Sequence, residues 1–147
     1  MKKGILLGVI VAAGLLLSCG NNAKAESADN SAPKESVNLS EKAIYKVENG
    51  LMKPTNGLPM IVDFSATWCP PCQKLKPIFH DLGEEFKGRI NFFTIDVDEN
   101  PGLAANYEVS SIPALVFINK DGQIQNIVVG FRDKDQLLSD INTYFGF

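Results

Sequence analysis

The sequence has few of the residues that build metal centres. It holds one histidine, His80, and three cysteines, Cys19, Cys69 and Cys72, in 147 residues. A structural zinc site takes about four nitrogen or sulfur ligands, and no second closely spaced cysteine pair supplies them. His80 follows Cys72 by about two helical turns, which is too far for the two to share a metal. We therefore predict that the chain binds no metal.

An excess of charge is also missing. The formal net charge is −3, and 21% of the residues are charged. Without a basic excess the chain lacks the electrostatic footprint of nucleic-acid binding, and without an acidic tail it lacks a charge-driven partner. No internal repeat or second domain is visible. We expect a monomer with one ordinary hydrophobic core that binds no nucleic acid.

A long apolar run occurs at the N-terminus. Lys2 and Lys3 precede an uncharged run over 4–17, and Ser18 and Cys19 follow it. A basic head, a short apolar middle and small residues at the end are typical of an export signal. The run is short for a transmembrane helix, which needs about 20 apolar residues. We therefore predict a lipoprotein signal, for which residues 16–19 give the reason, with an ordinary secretory signal or an uncleaved anchor as the alternatives.

Residues 16–19, Leu-Leu-Ser-Cys, resemble a bacterial lipobox. The resemblance implies a signal peptide over 1–18 and diacylglycerol on the sulfur of Cys19, which would anchor the chain to the extracytoplasmic (periplasmic) face of a bacterial membrane. Residues 19–39 are poor in large apolar groups and predict a flexible tether. A folded domain is expected over 40–147. With Cys19 lipidated, Cys69 and Cys72 are the one remaining pair, outside the reducing cytosol.

From Ser40 onwards the hydrophobic pattern alternates between helical and strand periods. Ser40 is predicted to cap a helix carrying Ile44, Val47 and Leu51, with a strand over 43–47 as the alternative. The pattern then predicts strands over 60–64, 90–95, 114–118 and 124–129, and helices over about 72–86, 100–107 and 133–145.

Local signals support several of these boundaries. A kink is expected at Pro77 inside its helix. Asn100 precedes a proline and is predicted to be an N-cap. The pair Asp133 and Gln136 predicts a capping box, and Asp121-Gly122 predicts a hairpin turn. The fold class is α/β: strands separated by helices should pair in parallel, a final hairpin should add antiparallel strands, and helices should cover both faces of a mixed central sheet.

The cysteine pair follows a buried strand and opens a helix. Helix N-termini favour a thiolate, so Cys69 is predicted to be an exposed nucleophile, with Cys72 in the first turn facing it. A structural disulfide across two residues would remove little unfolded-state entropy, and half a metal site lacks ligands. Pro70 and Pro71 suit the helix start but remove two amide donors near Cys69. We expect a moderately lowered pKa of Cys69 and a reducing or intermediate potential.

The segment from Asp63 to Cys72, with Trp68 before the first cysteine, resembles the active site of the thioredoxin family. Pro77, the run 98–101 and the run Ser111-Ile112-Pro113-Ala114 resemble further landmarks of that family. The similarity covers roughly residues 55–145 and implies a thioredoxin fold, thiol–disulfide oxidoreductase activity and no bound cofactor.

The resemblance also implies roles for the matched catalytic residues. Cys69 would be the nucleophile and Cys72 the resolving thiol, and the two would form the redox disulfide. Asp63 would be a buried acid that moves a proton to or from Cys72, its pKa raised by desolvation; a solvent-exposed acid is the alternative. Trp68 would shield the site, against the alternative of a packing role alone.

Three more residues are expected to bind the substrate. Pro113 is predicted to be cis and to lie against the sulfurs, which leaves the backbone beside Ile112 free to pair with a substrate strand. Gly130 resembles the glycine that lets substrates approach, although a turn glycine explains it equally well. Ser65 and Thr94 depart from the family pattern; Thr94 stands where a lysine often neighbours the buried acid.

These residues predict a lipid-anchored, extracytoplasmic enzyme that reduces disulfides of exported proteins and receives electrons from an upstream membrane donor. One alternative runs the exchange backwards, as an oxidase or isomerase. Another is a cytochrome-c-maturation thioredoxin, although the stretch from Cys72 to Pro113 lacks room for the insertion common in that group. The third is a non-catalytic client-binding module, against which the intact cysteines count.

Overall fold

The computed structural model describes residues 44–147. The elements are β1 (Tyr45–Glu48), β2 (Leu51–Pro54), β3 (Met60–Ser65), α1 (Pro70–Glu85), β4 (Asn91–Asp96), α2 (Pro101–Asn106), β5 (Ala114–Ile118), β6 (Ile124–Val129) and α3 (Lys134–Phe145). The signal peptide and tether, Cys19 and the Ser40 cap lie outside the described residues. Within 44–147, no helix has the length and apolar character needed to cross a membrane.

The predicted first helix is wrong: residues 45–54 form the antiparallel hairpin β1–β2. Asn49 and Gly50 join the strands with φ angles of 52° and 78°, and an Asn-Gly pair with two positive φ angles favours the tight turn of a two-residue hairpin. The apolar spacing of Ile44, Val47 and Leu51 was compatible with a helix, but Val47 is half exposed. The buried side chains of the hairpin include Tyr45 and Met52 instead.

The four-stranded sheet has the order β4-β3-β5-β6, and it confirms a mixed central sheet. β3 and β4 pair in parallel across α1, whereas β5 is antiparallel to both β3 and β6. The expectation that all strands separated by helices are parallel is therefore wrong for β5. A helix of six residues spans about 9 Å, too short to return the chain along strands of about 20 Å, whereas the 16 residues of α1 suffice.

Strand alternation builds one hydrophobic core on each face of the sheet. Val62 and Phe64 of β3 face the hairpin and α2. Ile61, one position before Val62, faces α1 and α3. Helices thus cover both faces, as predicted. Asp63 has the same parity as Ile61, which places it on the face that packs against α1.

The predicted N-caps of α2 and α3 are both present, but only that of α3 is bonded through its side chain. The capping box of α3 is present, with the amide of Gln136 donating to Asp133 Oδ1 over 2.9 Å. Asn100 occupies the N-cap position of α2, but its side chain makes no capping hydrogen bond. Its Nδ2 donates instead to the Asp96 carbonyl oxygen at 3.1 Å, so the predicted N-cap position is confirmed, without a capping bond from the side chain.

Candidate active site

The cysteine pair lies at the N-terminus of α1. Cys69 is the N-cap residue with extended backbone angles, and a disulfide joins it to Cys72 with a Cα–Cα distance of 5.3 Å. Pro70 and Pro71 fill the first two helical positions and supply no amide hydrogen. The first available donor is therefore the amide of Cys72, which lies 3.3 Å from Cys69 Sγ. This amide and the helix N-terminus favour negative charge on that sulfur.

Both cysteines are buried in the disulfide form, so the predicted exposure of Cys69 is wrong. Cys69 is 3% exposed and Cys72 is 1% exposed. Ala66 shares their cluster, and the partly buried side chains of Val97 and Ile112 pack against it. The sulfur gains cover from residues that lie far away in sequence, which local pattern could not show.

A groove of about 420 Å³ borders this cluster. Its lining consists of Trp68, Val97, the run 109–111 and Ile112. Ile112 and Val97 belong both to the groove and to the cover of the cysteines. A partner that occupies the groove therefore contacts the residues that pack on the disulfide. Val109, Ser110 and Ser111 were not predicted as lining residues.

The three predicted substrate-binding residues come together beside the groove. The Ile112–Pro113 peptide bond is cis, as the resemblance implies. The amide of Gly130 donates to the Pro113 carbonyl oxygen at 2.8 Å. Gly130 has a φ of 100°, and nothing lies within 4 Å of the place where a Cβ would stand. Its backbone conformation therefore favours glycine in this turn, and the space above it is open.

Trp68 lies on the surface, with 65% of its residue area exposed. Its Nε1 donates a hydrogen bond of 2.6 Å to Asp98 Oδ2. The alternative in which Trp68 serves only to pack the core is therefore wrong. Asp98 was not predicted as a site residue. The sequence could have indicated Asp98 by its position just after the carboxyl end of β4. Because β4 pairs with β3 in parallel, both strands end at the same edge of the sheet.

A second unpredicted contact holds the loop before Cys69. Gln73 Nε2 donates to the carbonyl oxygen of Thr67 at 3.2 Å and lies 3.5 Å from that of Ala66. These carbonyls precede Trp68 directly. Gln73 thus connects the first turns of α1 to the loop that carries the tryptophan.

Asp63 is a buried acid, 1% exposed, in the fourth position of β3. Burial raises its pKa from 3.8 to about 7, and its Oδ1 has no hydrogen-bond partner among residues 44–147. Its register partners are Thr94 on β4 and Leu115 on β5, neither of which supplies a positive charge. The solvent-exposed alternative is wrong, and desolvation without a neighbouring cation accounts for the raised pKa.

This arrangement can exchange a dithiol for a disulfide. Two sulfurs within bonding reach allow one to attack a partner's disulfide and the other to displace the partner. Among residues 44–147, no group of three or more His, Cys, Asp or Glu side chains is placed to hold a metal ion. The chemistry of the described site is that of the sulfur pair.

Comparison with known proteins points to the same chemistry. Residues 46–143 match the family model named Thioredoxin. The chain is also similar to proteins named "Thioredoxin" from Staphylococcus aureus, among them those of strains Mu50 and MW2. Each is 45% identical over 92 residues, which are 63% of this chain and 80% of the relative. With a disulfide at the start of α1 that is covered by Ile112, the residue before a cis-proline, this chain belongs to the thioredoxin family and is a thiol–disulfide oxidoreductase.

Proposed function

We propose that this oxidoreductase works outside the cytoplasm, held to a membrane by lipid on Cys19, and reduces disulfides of exported proteins. The support for location is the sequence of residues 1–19, with its basic head, short apolar run and Leu-Leu-Ser-Cys end. The support for reduction is the single amide that faces Cys69 Sγ. With Pro70 and Pro71 removing two donors, the thiolate is stabilised moderately, which suits a reductant better than a strong oxidant.

In the proposed reaction the Cys69 thiolate attacks one sulfur of a client disulfide. A mixed disulfide forms, and the client's other sulfur leaves as a thiolate and takes up a proton. The Cys72 thiolate then attacks Cys69 Sγ, which releases the second client thiol and forms the Cys69–Cys72 disulfide. The client gains two electrons, and an upstream membrane-associated dithiol donor supplies two electrons to regenerate the enzyme.

Asp63 would serve as the proton acceptor for Cys72 in the second step. It lies on the sheet face that packs against α1, the helix that carries Cys72. An acid with a pKa of about 7 is half ionised at neutral pH, so it can both accept and return a proton. Thr94 stands beside it in register without a charge, so proton transfer would rest on the carboxyl group alone.

The observation that carries the proposal is the cysteine pair covered by the groove residues Val97 and Ile112. Insulin reduction, with dithiothreitol as terminal reductant, tests the chemistry. We expect wild type to accelerate precipitation of insulin chains, and Cys69→Ser to be inactive. Equal rates for wild type and Cys69→Ser would contradict the assigned nucleophile. A measured reduction potential of about −120 mV, in the range of strong oxidants, would contradict the proposal that the protein acts as a reductant.

Two further measurements test the setting. Metabolic labelling with palmitate in a bacterial host should mark wild type but not Cys19→Ala, and labelling that persists in the variant contradicts the lipid anchor. The Cys72→Ser variant should trap clients as mixed disulfides on Cys69. Recovery of exported proteins supports the proposal, whereas recovery of cytosolic proteins alone contradicts it.

A further inference from the structure

The chain that leaves β6 runs directly past the cis-proline turn. Gly130 is bonded through its amide to the Pro113 carbonyl oxygen at 2.8 Å. Phe131 follows it and is 41% exposed. We call residues 129–131 the β6 end segment. This segment lies next to Pro113, and so it borders the place where the proposed function puts a client.

An ion pair holds the residue that follows the β6 end segment. Arg132 Nε lies 3.1 Å from Asp140 Oδ2, and both side chains are partly buried. Both atoms are shielded from solvent, and neither makes a regular hydrogen bond within residues 44–147. The distance marks an ion pair although the angles fall outside hydrogen-bond geometry. A shielded pair is screened less by salt than an exposed one, and removal of one partner leaves a partly buried charge uncompensated.

Another ion pair of α3 provides a contrast. Lys134 Nζ lies 3.1 Å from Glu85 Oε2, the same distance, but both side chains are about half exposed. Exposed pairs of this kind contribute little. It joins α3 to the end of α1, at the opposite end of that helix from the cysteines. The two pairs thus share their distance and a carboxylate partner but differ in the cation, in burial and in place.

We propose that Arg132 and Asp140 are positioning residues for client binding, and that their ion pair fixes the β6 end segment beside Pro113. This inference rests on the proposed function, since it assumes that clients bind along that turn. The pair anchors the chain to α3 one residue after Phe131. With the amide of Gly130 bonded on the other side, Phe131 is held between two fixed points, and its exposed side chain is available to an apolar residue of a client bound beside Pro113.

Because the ion pair acts on client binding and not on the sulfurs, its loss should affect a protein substrate but not a small disulfide. For Asp140→Asn and Arg132→Gln we expect KM for insulin to rise about five-fold with kcat unchanged, in the range of energies that couple neighbouring groups. Reduction of hydroxyethyl disulfide, which is too small to reach the β6 end segment, should keep its rate. Glu85→Gln is the matched control and should change neither.

Rescue distinguishes positioning from a general loss of structure. Arg132→Lys keeps the charge and should stay within about two-fold of wild type for insulin. The exchange of charges in Arg132→Asp with Asp140→Arg should recover part of the lost affinity. Urea unfolding of each variant confirms that the compared proteins are folded. If the neutral variants are not folded, Arg132→Lys and the charge exchange are compared with wild type in their place.

Three results would overturn the inference. KM for insulin could be unchanged in both neutral variants, or both substrates could slow equally, which would indicate a general structural role. Glu85→Gln could raise KM for insulin as much as Asp140→Asn does, which would show that the effect does not depend on a position near Pro113. If wild type itself fails to reduce insulin, the proposed function fails and this inference fails with it. If wild type reduces insulin but the neutral variants keep its KM, this inference alone fails, so the two failures are distinguishable.

Discussion

The indole Nε1 of Trp68 donates a hydrogen bond to Asp98 Oδ2 across 2.6 Å and so connects the loop before α1 to the loop after β4. The Asp98 side chain is exposed, and the indole is largely exposed as well. The contact orients the large side chain that lines one end of the groove. A hydrogen bond with these properties contributes on the order of 1 kcal/mol, which is enough to hold one orientation of the ring.

Removal of this acceptor should free the tryptophan. Trp68 is the one tryptophan of the chain, so its fluorescence reports on the site alone. In Asp98→Ala we expect an altered emission maximum and stronger quenching by acrylamide, with a stability loss of about 0.5–1.5 kcal/mol. Glu99→Ala removes the adjacent exposed carboxylate and serves as the control. Identical spectra for wild type and Asp98→Ala would show that the bond does not orient the ring.

The buried carboxyl of Asp63 should make stability depend on pH. Its pKa rises from 3.8 in the unfolded chain to about 7 in the folded protein. Between these values the folded protein holds a proton that the unfolded chain has lost. The free energy of unfolding therefore falls as pH rises from 4 to 7, by about 1.36 kcal/mol for each step of one in pH, and levels off above 7. The total is of the order of 4 kcal/mol as an upper limit.

Urea unfolding of the oxidised protein at several pH values measures this dependence. Asp63→Asn cannot ionise, so we expect it to match wild type near pH 4 and to be more stable above pH 8. Asp81→Asn, which changes an exposed acid on α1, should follow wild type at every pH. A difference between Asp63→Asn and wild type that does not grow with pH would contradict an unpaired, buried carboxyl group.

The hairpin turn offers a test of the fold itself. A Cβ on Gly50 would stand 2.4 Å from Asn106 Nδ2, which donates a hydrogen bond to the Gly50 carbonyl oxygen at 3.0 Å. Gly57 has a similar φ of 73° but open space around it. Gly57→Ala should therefore cost about 1–2 kcal/mol for its backbone conformation alone. Gly50→Ala should cost about 1 kcal/mol more, because the Asn106 bond is displaced as well.

Thermal or urea unfolding of the two alanine variants gives the comparison directly. The excess for Gly50 is the contribution of its contact with α2. Equal losses in the two variants would mean that Asn106 moves aside without cost. Other contacts would still hold the hairpin, among them the hydrogen bond from the Met52 amide to Tyr107 Oη at 2.8 Å and the packing of Tyr45 on Phe93, whose ring centroids are 4.9 Å apart.

Part of the fold followed from local signals. The strand that ends at Ser65, the helix stripe with Leu75, Phe79 and Leu82, and the capping box at Asp133 were each visible in sequence, because periodicity and caps are short-range properties. Asn49-Gly50 is a hairpin signal, but Ile44, Val47 and Leu51 also fit a helical period, so the local pattern favours the wrong element there. The cis bond before Pro113 came from the family resemblance and not from composition or spacing.

By itself the sequence determined where the sulfurs stand: after a buried strand, at the first turn of a helix, with two prolines between them. Only the tertiary structure decided that Cys69 is buried, that Trp68 is bound by Asp98 and that β5 runs antiparallel to β3. Each of these depends on contacts between residues far apart in the chain, or on whether a short connection can span the sheet. Such relationships have no local period to reveal them, because they exist only when the chain has folded.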